Sequence, residues 1–224
     1  MDNGITHVAP PGGSLAWSRA FAVLYDPFLW VGERAGMRGH RKELLSRARG
    51  YTVEIGGGTG LNLPYYPDDL DELVLAEPDA AMRSRLDKRL SRSGRRARLV
   101  DAPAERLPFA DGSVDTVVST LVLCTVDAPD LALREIARVL RHNGQLLFIE
   151  HVRSDSPTLA GWQDRLAGPW RHFAQGCRCN RATGELIVTS GLDLEAVSEA
   201  RWRAMPPIMR PLVVGRARNR GSDG

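Results

Sequence analysis

Three glycines follow the apolar run 51–55 directly and could form a ligand-binding loop. They are Gly56, Gly58 and Gly60, with the spacing G-x-G-x-G. Glycine has no Cβ, so the chain can turn sharply here and a ligand can lie against backbone N–H groups. The spacing differs from the G-x-G-x-x-G of dinucleotide-binding loops, in which a helix N-terminus receives a pyrophosphate. The pattern therefore indicates a ligand-binding loop of another type.

Two acidic residues stand at the ends of the next two apolar runs. Glu77 follows the run 72–76, 21 residues after Gly56, and Asp101 follows the run 98–100. A carboxylate at the first position can accept hydrogen bonds from both hydroxyls of an adenosine ribose, and one at the second can accept from the adenine amino group. A glycine run alone is often only a tight turn, but one followed by acids at two strand ends favours a nucleoside site.

Alternating strands and helices must position these residues. Short β-branched or apolar runs indicate the strands, and apolar residues at helical spacing indicate the helices. Such alternation predicts a doubly wound α/β sheet, whose ligands bind at the carboxyl ends of the strands where the strand order reverses. The seven predicted strands are 51–55, 72–76, 98–100, 114–119, 145–149, 194–200 and 209–216, with helices at 14–30, 33–49, 80–90 and 131–140.

The composition is that of a globular protein. The chain has 224 residues, of which 43% are hydrophobic and 25% charged, and its longest apolar runs fall far short of the roughly 20 residues that cross a bilayer. Three cysteines, an odd number, do not make the disulfide framework of a secreted protein, and the first residues lack the apolar segment of a signal peptide. We therefore expect a soluble, cytoplasmic protein.

Positive charge is concentrated in one stretch. The net charge is +3, and residues 83–98 hold eight basic residues against the single acid Asp87. No aromatic residues interleave this run, so we expect no nucleic-acid partner. Arg outnumbers Lys 28 to 2 across the chain, a bias typical of GC-rich bacterial genomes, and a solvated Arg-rich helix is the simplest explanation of the run.

Four segments carry a resemblance to a known family. They are VEIGGGTG, LAEPDAAM, VDAPAERLPFADGSVDTVVST and LREIARVLRHNGQLLFIEH, and together they span residues 51–151. In order and spacing they resemble the motifs of class I S-adenosylmethionine-dependent methyltransferases of type 11, in the branch that includes the quinone C-methyltransferases. The resemblance implies a Rossmann-like sheet, S-adenosylmethionine as cofactor and S-adenosylhomocysteine as product.

The resemblance also implies where each part of the cofactor lies. The methionine part of the cofactor would face the end of the first strand, and the ribose would bind the acid after the second strand. The adenine would bind the acid after the third strand, and the reacting methyl group would lie beside the segment after the fourth strand. The residues concerned are, in that order, Glu54 and Gly56; Glu77; Asp101 and Ala102; and Leu121. Gly58 would pack against the ligand, the backbone of Thr120 would meet the methionine amine, and Pro78 would be a further cofactor-binding residue. Tyr25 would belong to a lid over the cofactor, although an amphipathic face packed on the core explains its helix equally well.

The division of the chain follows from the same resemblance. We expect residues 1–13 to be a disordered tail and residues 14–224 to form a single methyltransferase domain. Its parts would be lid helices at 14–50, a cofactor-binding core at 51–152, an insertion that builds the substrate pocket at 153–190, and terminal strands at 191–224.

A closer resemblance concerns the methyl acceptor. The segments TLVLCTV, LFIEHV, WQDRLAGPWRHFAQGCRCNRAT and RPLVVGRA are similar to those of the methyltransferase-like 7 group, which methylates hydrogen sulfide and small alkyl thiols. The apolar membrane anchor of that group is not found in this sequence. The resemblance implies methyl transfer to a small thiol or sulfide. The alternatives are a lipid-related acceptor, either a quinone carbon or a phospholipid amine, with residues 83–98 on a membrane surface, and a non-catalytic cofactor-binding protein.

Two histidines are candidate catalytic residues. His151 directly follows the fifth predicted strand, and His172 lies in the insertion; each could orient or deprotonate an acceptor, or be a structural hydrogen-bonding residue. A thiol acceptor needs no strong base, because a neighbouring sulfonium favours the thiolate. The pair Cys177 and Cys179 lacks the four ligands of a structural zinc site, so we expect pocket or packing residues and no metal. Cys124, inside an apolar run, is expected to be buried.

Overall fold

The computed structural model describes residues 15–219, so the tail expected at 1–13 lies outside the described residues. The predicted alternation of strands and helices is confirmed, and the elements lie within a few residues of their predicted bounds in most cases. The strands are β1 (Tyr51–Ile55), β2 (Glu72–Ala76), β3 (Arg98–Val100), β4 (Val114–Thr120), β5 (Leu140–His151), β6 (Asp193–Arg201) and β7 (Pro211–Arg218). The helices are α1 (Leu15–Gly32), α2 (Arg38–Leu45), α3 (Ala80–Ser93), α4 (Pro129–Val139), α5 (Pro157–Phe173) and α6 (Thr183–Val188), with a π-helical turn at Glu33–Met37 and short 3-10 turns at Leu63–Tyr65 and Pro207–Met209.

All seven strands form one sheet in the order β3-β2-β1-β4-β5-β7-β6. The first five strands are parallel, and β7 runs antiparallel between β5 and β6. Ile55 is level with Ala76 of β2 and with Ser119 of β4, and Ala76 is level with Val100 of β3. The strand order reverses between β1 and β4, so the carboxyl ends of β1 to β4 meet at the topological switch point, where ligands of such sheets bind.

Helices cover both faces of the sheet. On one face α1, α2 and α3 contribute buried apolar residues such as Leu29, Leu45 and Leu86, while on the other α4 and α6 contribute Leu133 and Ile187. Each such fully buried side chain contributes about 1.5–3 kcal/mol to folding. Among the described residues, no helix is both long enough and apolar enough to cross a membrane.

Three predicted elements differ most from the structure. The helix predicted at 33–49 is a π-helical turn at Glu33–Met37 followed by α2, which ends at Leu45, because Gly36 has a non-helical conformation. The helix predicted at 131–140 begins at Pro129, because proline is favoured in the first turn of a helix. The strand predicted at 145–149 begins at Leu140, where it already pairs with Val114, and the register shifts before Gln145 pairs with Thr116. The segment between these two pairings, which includes Asn143 and Gly144, therefore forms an irregularity inside β5.

The insertion at 153–190 contains α5 and α6 and docks on the loop after β4. The backbone N–H of Arg178 donates to the carbonyl of Cys124 at 2.8 Å. The guanidinium of Arg181 donates to the carbonyl oxygens of Leu123 and, at 2.8 Å, Val126. The insertion and the carboxyl edge of the sheet therefore form one continuous wall.

Candidate functional site

Two glycines of the loop after β1 have different surroundings. Both have positive φ, 57° at Gly56 and 56° at Gly58, a conformation that favours glycine. A Cβ on Gly56 would lie 2.6 Å from Cγ2 of Val122, whereas a Cβ on Gly58 would meet only the carbonyl oxygen of Gly56, at 3.9 Å. Gly56 is therefore required for packing, whereas the backbone at Gly58 is open on the side where a Cβ would stand.

Glu77, directly after β2, reaches the same loop. It is 6% exposed, and its two carboxylate oxygens accept the backbone N–H groups of Gly58 and Asp79, each at 2.8 Å. Burial raises the pKa of Glu77 to about 7, against the lowering effect of these two hydrogen bonds. Each oxygen keeps a second lone pair, so the ionised carboxylate can also accept hydrogen bonds from two hydroxyl groups.

Arg83 fixes the acid that follows β3. Its guanidinium donates to Oδ2 of Asp101 at 2.8 Å and to the carbonyl oxygens of Glu77 and Pro78 at 2.6 and 3.0 Å. Asp101 is exposed, and the next residue, Ala102, is buried. One side chain thus joins the ends of β2 and β3 and leaves a carboxylate facing solvent beside them.

Glu54, on β1, is an acid buried in the edge of the sheet. It accepts hydrogen bonds from Nδ2 of Asn62 and from the hydroxyl of Tyr66, both at 2.8 Å. Nδ2 of Asn62 also donates to the hydroxyl of Thr120 at 3.0 Å, which links β1 to β4. Burial raises the pKa of Glu54 to about 7, although these hydrogen bonds and the charge of Arg41 lower it. A cationic group bound nearby would favour the ionised form.

A buried ion pair orients this network. Arg41 of α2 and Glu33 of the π-helical turn pair at 2.9 Å, with side chains 4% and 6% exposed. Nη1 of Arg41 also donates to Oδ1 of Asn62 at 2.6 Å. Because that oxygen faces Arg41, the amide nitrogen of Asn62 faces Glu54. Gly36, with φ of 152°, breaks helical geometry in the π-helical turn that carries Glu33.

The backbone after β4 has an uncommon conformation. Leu121 has φ of 63°, which is rare for a residue with a side chain, and its N–H donates to the carbonyl of Ile149 at 2.7 Å. The buried carboxylate of Glu150 accepts the N–H groups of residues 122–124, each at 3.1 Å, and the hydroxyl of Ser119 at 2.7 Å. Four donors to one side chain therefore hold this turn in place.

Helix α1 is hydrogen-bonded to the glycine loop and to the end of β2. The hydroxyl of Ser18 donates to Oδ2 of Asp79 at 2.6 Å, and the hydroxyl of Thr59 donates to Oδ1 of Asp26 at 2.5 Å. Tyr25 is half-buried on the same helix, and its side chain packs against the apolar core. The helix therefore lies against the candidate site, as a lid requires, and also packs on the core.

His151 lies among sulfur atoms at the end of β5. It is 2% exposed, and its Nδ1 is 3.5 Å from Sγ of Cys124 and 3.7 Å from Sγ of Cys177. Its ring centroid is 5.7 Å from that of Trp202. His172, in contrast, is exposed near the end of α5. The structure thus brings one candidate catalytic histidine to the sheet edge and leaves the other on the surface.

Comparison with known proteins gives the family. A family model described as "Methyltransferase domain" matches residues 53–148. The human Thiol S-methyltransferase TMT1B is 35% identical over 191 residues, which cover 80% of this chain and 76% of that enzyme. The chain belongs to the S-adenosylmethionine-dependent methyltransferases.

Two further comparisons show how far the similarity to other methyltransferases reaches. A phosphatidylethanolamine N-methyltransferase of Cereibacter sphaeroides is 30% identical over 125 residues, 53% of this chain and 59% of that enzyme. The crystal structure of a Thermotoga maritima SAM-dependent methyltransferase has a TM-score of 0.68 at 22% identity, covering 91% of this chain and 98% of that one. The fold is thus shared widely. The alignment with TMT1B covers 80% of this chain, against 53% for the phosphatidylethanolamine N-methyltransferase.

The site of this methyltransferase fits its cofactor, S-adenosylmethionine. Gly58 borders open space beside Glu77, whose oxygens have lone pairs free for the two ribose hydroxyls. The two buried carboxylates with raised pKa values, Glu54 and Glu77, suit a ligand that carries positive charge on a sulfonium and an amine. The structure therefore brings the predicted cofactor residues to one sheet edge.

Several residues of the site were missed by sequence reasoning. Asn62 could have been noticed as a polar residue between two leucines just after the glycine loop, and Glu150 as an acid at the end of an apolar strand. Arg41 and Glu33 give no local signal, because they precede the first strand in a polar helix and a kink. Tyr66 has an ordinary loop context.

Proposed function

We propose that this methyltransferase transfers the methyl group of S-adenosylmethionine to the sulfur of a small thiol or sulfide. One observation carries the proposal: the buried cluster beside the turn at Leu121 consists of two thiols and an imidazole, from Cys124, Cys177 and His151, and the neighbouring carboxylate of Glu150 is engaged by four donors. This cluster therefore offers an acceptor no free carboxylate to act as a strong base. A thiol has an ordinary pKa of about 8.5, so it is a methyl acceptor that does not need a strong base.

The residues proposed to hold the cofactor follow the carboxyl ends of the strands. We assign the ribose to Glu77, the adenine to Asp101 and Ala102 with Pro78 beside them, and the methionine part to Glu54. Gly58 supports this assignment, because its open side leaves room for a ligand against the backbone. The remaining contacts would come from Gly56, Thr120, Leu121 and Tyr25.

Positioning dominates the proposed mechanism. When bound, S-adenosylmethionine supplies a methyl group on a positive sulfur that leaves as a neutral thioether, so only the acceptor has to lose a proton. The turn at Leu121, held by Glu150, would fix the wall against which the acceptor lies. Helix α1 and the insertion would exclude water from both sides.

The histidines receive different roles in this proposal. Nδ1 of His151 faces two sulfur atoms and its ring is 2% exposed, which supports a positioning role more than proton transfer to solvent. His172 is exposed on α5, so we assign no role to it and expect water or buffer to take the acceptor proton.

The compartment and the surface are further parts of the proposal. All three cysteines of the chain are free, which supports a reducing compartment such as the cytoplasm.

Membrane contact through residues 83–98 belongs to the lipid-acceptor alternative. It is weakened because four of the eight basic residues already pair with carboxylates: Arg83 with Asp101, Arg89 with Asp26, Arg95 with Asp68 and Arg98 with Glu72.

The test is a methyl-transfer assay with an acceptor panel. Purified protein and S-adenosylmethionine are incubated with hydrogen sulfide, a small alkyl thiol, a demethylated quinone precursor, or phosphatidylethanolamine vesicles, and products are identified by mass spectrometry. We expect S-methyl product and S-adenosylhomocysteine in equal amounts with the thiols. An N-methyl or C-methyl product in place of the thioether would replace the proposed acceptor, and cofactor binding without transfer would favour a non-catalytic role.

A further inference from the structure

Every cysteine of the chain lies at one point of the fold. Cys124 comes from the turn after β4, and Cys177 and Cys179 come from the insertion, yet all three are buried and free. Sγ of Cys177 is 3.6 Å from Sγ of Cys179, and both Cys124 and Cys177 approach His151. The sequence analysis expected packing residues here because a lone C-x-C lacks further ligands; the fold supplies them from two other segments.

The distances match those between ligands of one tetrahedral metal ion. With metal–sulfur bonds of about 2.3 Å and a metal–nitrogen bond of about 2.0 Å, ligand atoms stand roughly 3.6 Å apart for sulfur and nitrogen and roughly 3.8 Å apart for two sulfurs. Nδ1 of His151 is 3.5 Å from Sγ of Cys124 and 3.7 Å from Sγ of Cys177. All three donor atoms lie within 4.8 Å of one another.

The surroundings of His151 leave its imidazole without a strong partner. Its Nδ1 has only sulfur atoms within reach among the described residues, and its Nε2 is buried without a partner. A buried imidazole held only by weak sulfur contacts is costly. A metal ion on Nδ1 would give this ring a strong partner and would leave the proton on Nε2, as in neutral histidine ligands.

We propose that Cys124, His151 and Cys177 bind one zinc ion through Sγ, Nδ1 and Sγ. Two thiolates and one imidazole favour a thiophilic metal ion that prefers tetrahedral coordination. Magnesium and calcium prefer oxygen ligands, and this ligand set contains none. The ion would join the turn after β4, the end of β5 and the insertion, and so hold the insertion against the methyl-transfer side of the sheet. Cys179 stands next to the ligand set but outside it.

The fourth position follows from this ligand set. Three protein ligands are typical of zinc sites that keep one position for water or an incoming ligand. The proposal is independent of the acceptor assigned above, because the three ligand atoms lie together whatever the acceptor is. Metal binding is therefore measured without any methyl acceptor.

Metal binding is tested on the full chain, purified under reducing conditions and stripped with a chelator. After zinc is added back to the stripped protein and the excess is removed by dialysis, we expect one zinc ion per chain by elemental analysis. The Tm of the zinc-loaded protein should be higher than that of the stripped protein. Cobalt should replace zinc and give the visible bands of a tetrahedral site with thiolate-to-cobalt charge-transfer absorption. Wild-type protein that retains no metal and gives no cobalt spectrum would refute the site, as would a disulfide that joins Cys124 to Cys177 in the reduced preparation.

The variants assign the ligands. Cys177→Ala and His151→Gln should lower the stoichiometry from one ion to background, while Cys179→Ala, the matched control, should keep one ion with binding at most about tenfold weaker. Circular dichroism of each variant distinguishes lost folding from lost ligation, and the wild-type cobalt spectrum stands even if a variant does not fold. If Cys179→Ala abolishes binding while Cys177→Ala keeps it, the proposed ligand set is wrong.

Discussion

The proposed cofactor side of this methyltransferase, around Glu77, and its proposed acceptor side, around His151, are built in different ways. On the cofactor side, Glu77 and its partners are joined by hydrogen bonds of 2.8 Å to backbone groups that lie within about twenty residues of one another. On the acceptor side, His151 and Cys177 come from separate segments and touch only through sulfur. The first arrangement depends on where parallel strands end; the second depends on how the insertion docks.

The comparison predicts that a single change on the cofactor side has the largest effect on cofactor affinity. Glu77→Gln keeps the shape of the side chain but replaces one acceptor oxygen by an NH₂ group, which faces the N–H of Gly58 or of Asp79. Two charge-assisted hydrogen bonds to the ribose are weakened, so we expect the Kd for S-adenosylmethionine to rise about 100-fold. Isothermal titration calorimetry measures it.

The control for this change lies on the same strand. Glu72→Gln removes an exposed carboxylate that pairs with Arg98, and it should leave the Kd within about twofold because surface ion pairs contribute little. The Tm of Glu77→Gln should fall moderately, because the NH₂ group leaves the N–H of Gly58 or of Asp79 without its acceptor, and circular dichroism checks that the variant is folded. Unchanged cofactor affinity in Glu77→Gln would remove the ribose assignment.

The same comparison explains what the sequence could predict. Glycines and acids that follow apolar runs reveal the cofactor side, because parallel strands place their carboxyl ends together whatever the connecting segments do. Gly58, Glu77 and Asp101 were found in this way. The number of strands was also predictable, since most of them contain a short apolar run, whereas their order in the sheet was not predicted.

The acceptor side could not be predicted in the same detail. Cys124 and Cys177 are 53 positions apart, and only the docking of the insertion, through contacts such as Arg181 with Leu123, brings them to one histidine. The Arg41–Glu33 pair is hidden for a similar reason, because a kinked helix carries Glu33 into the interior. Such arrangements depend on tertiary packing, which no local pattern records.

The stability of the unliganded protein should depend on pH through the two buried acids Glu54 and Glu77. Glu54 and Glu77 both have pKa values raised to about 7 by burial, so in the unliganded protein they are largely protonated below that pH. Their ordinary pKa is 4.5, so the folded state binds more protons than the unfolded state between about pH 4.5 and pH 7. Their contribution to the free energy of unfolding is present below that window and is lost as the pH rises through it.

Cofactor binding should show the opposite trend. In the proposed assignment, ionised Glu77 binds the ribose hydroxyls and ionised Glu54 faces the methionine part, so each acid that must ionise weakens binding about tenfold between pH 8 and pH 6. Calorimetry at both pH values measures this, and proton release on binding should appear as a dependence of the heat on the buffer. In Glu77→Gln the remaining dependence should fall to that of Glu54 alone; an unchanged pH dependence would show that Glu77 is not one of the titrating groups.

The smallest predicted effect concerns the lid. Ser18→Ala removes the hydrogen bond from α1 to Asp79, at the end of the strand that carries Glu77. One partly buried hydrogen bond contributes about 0.5–1.5 kcal/mol, so if closure of α1 is coupled to cofactor binding the Kd should rise about threefold. Ser84→Ala, an exposed serine on α3, is the matched control and should change nothing. Equal Kd values in both variants would mean that α1 only packs on the core and that the cofactor side is complete without a lid.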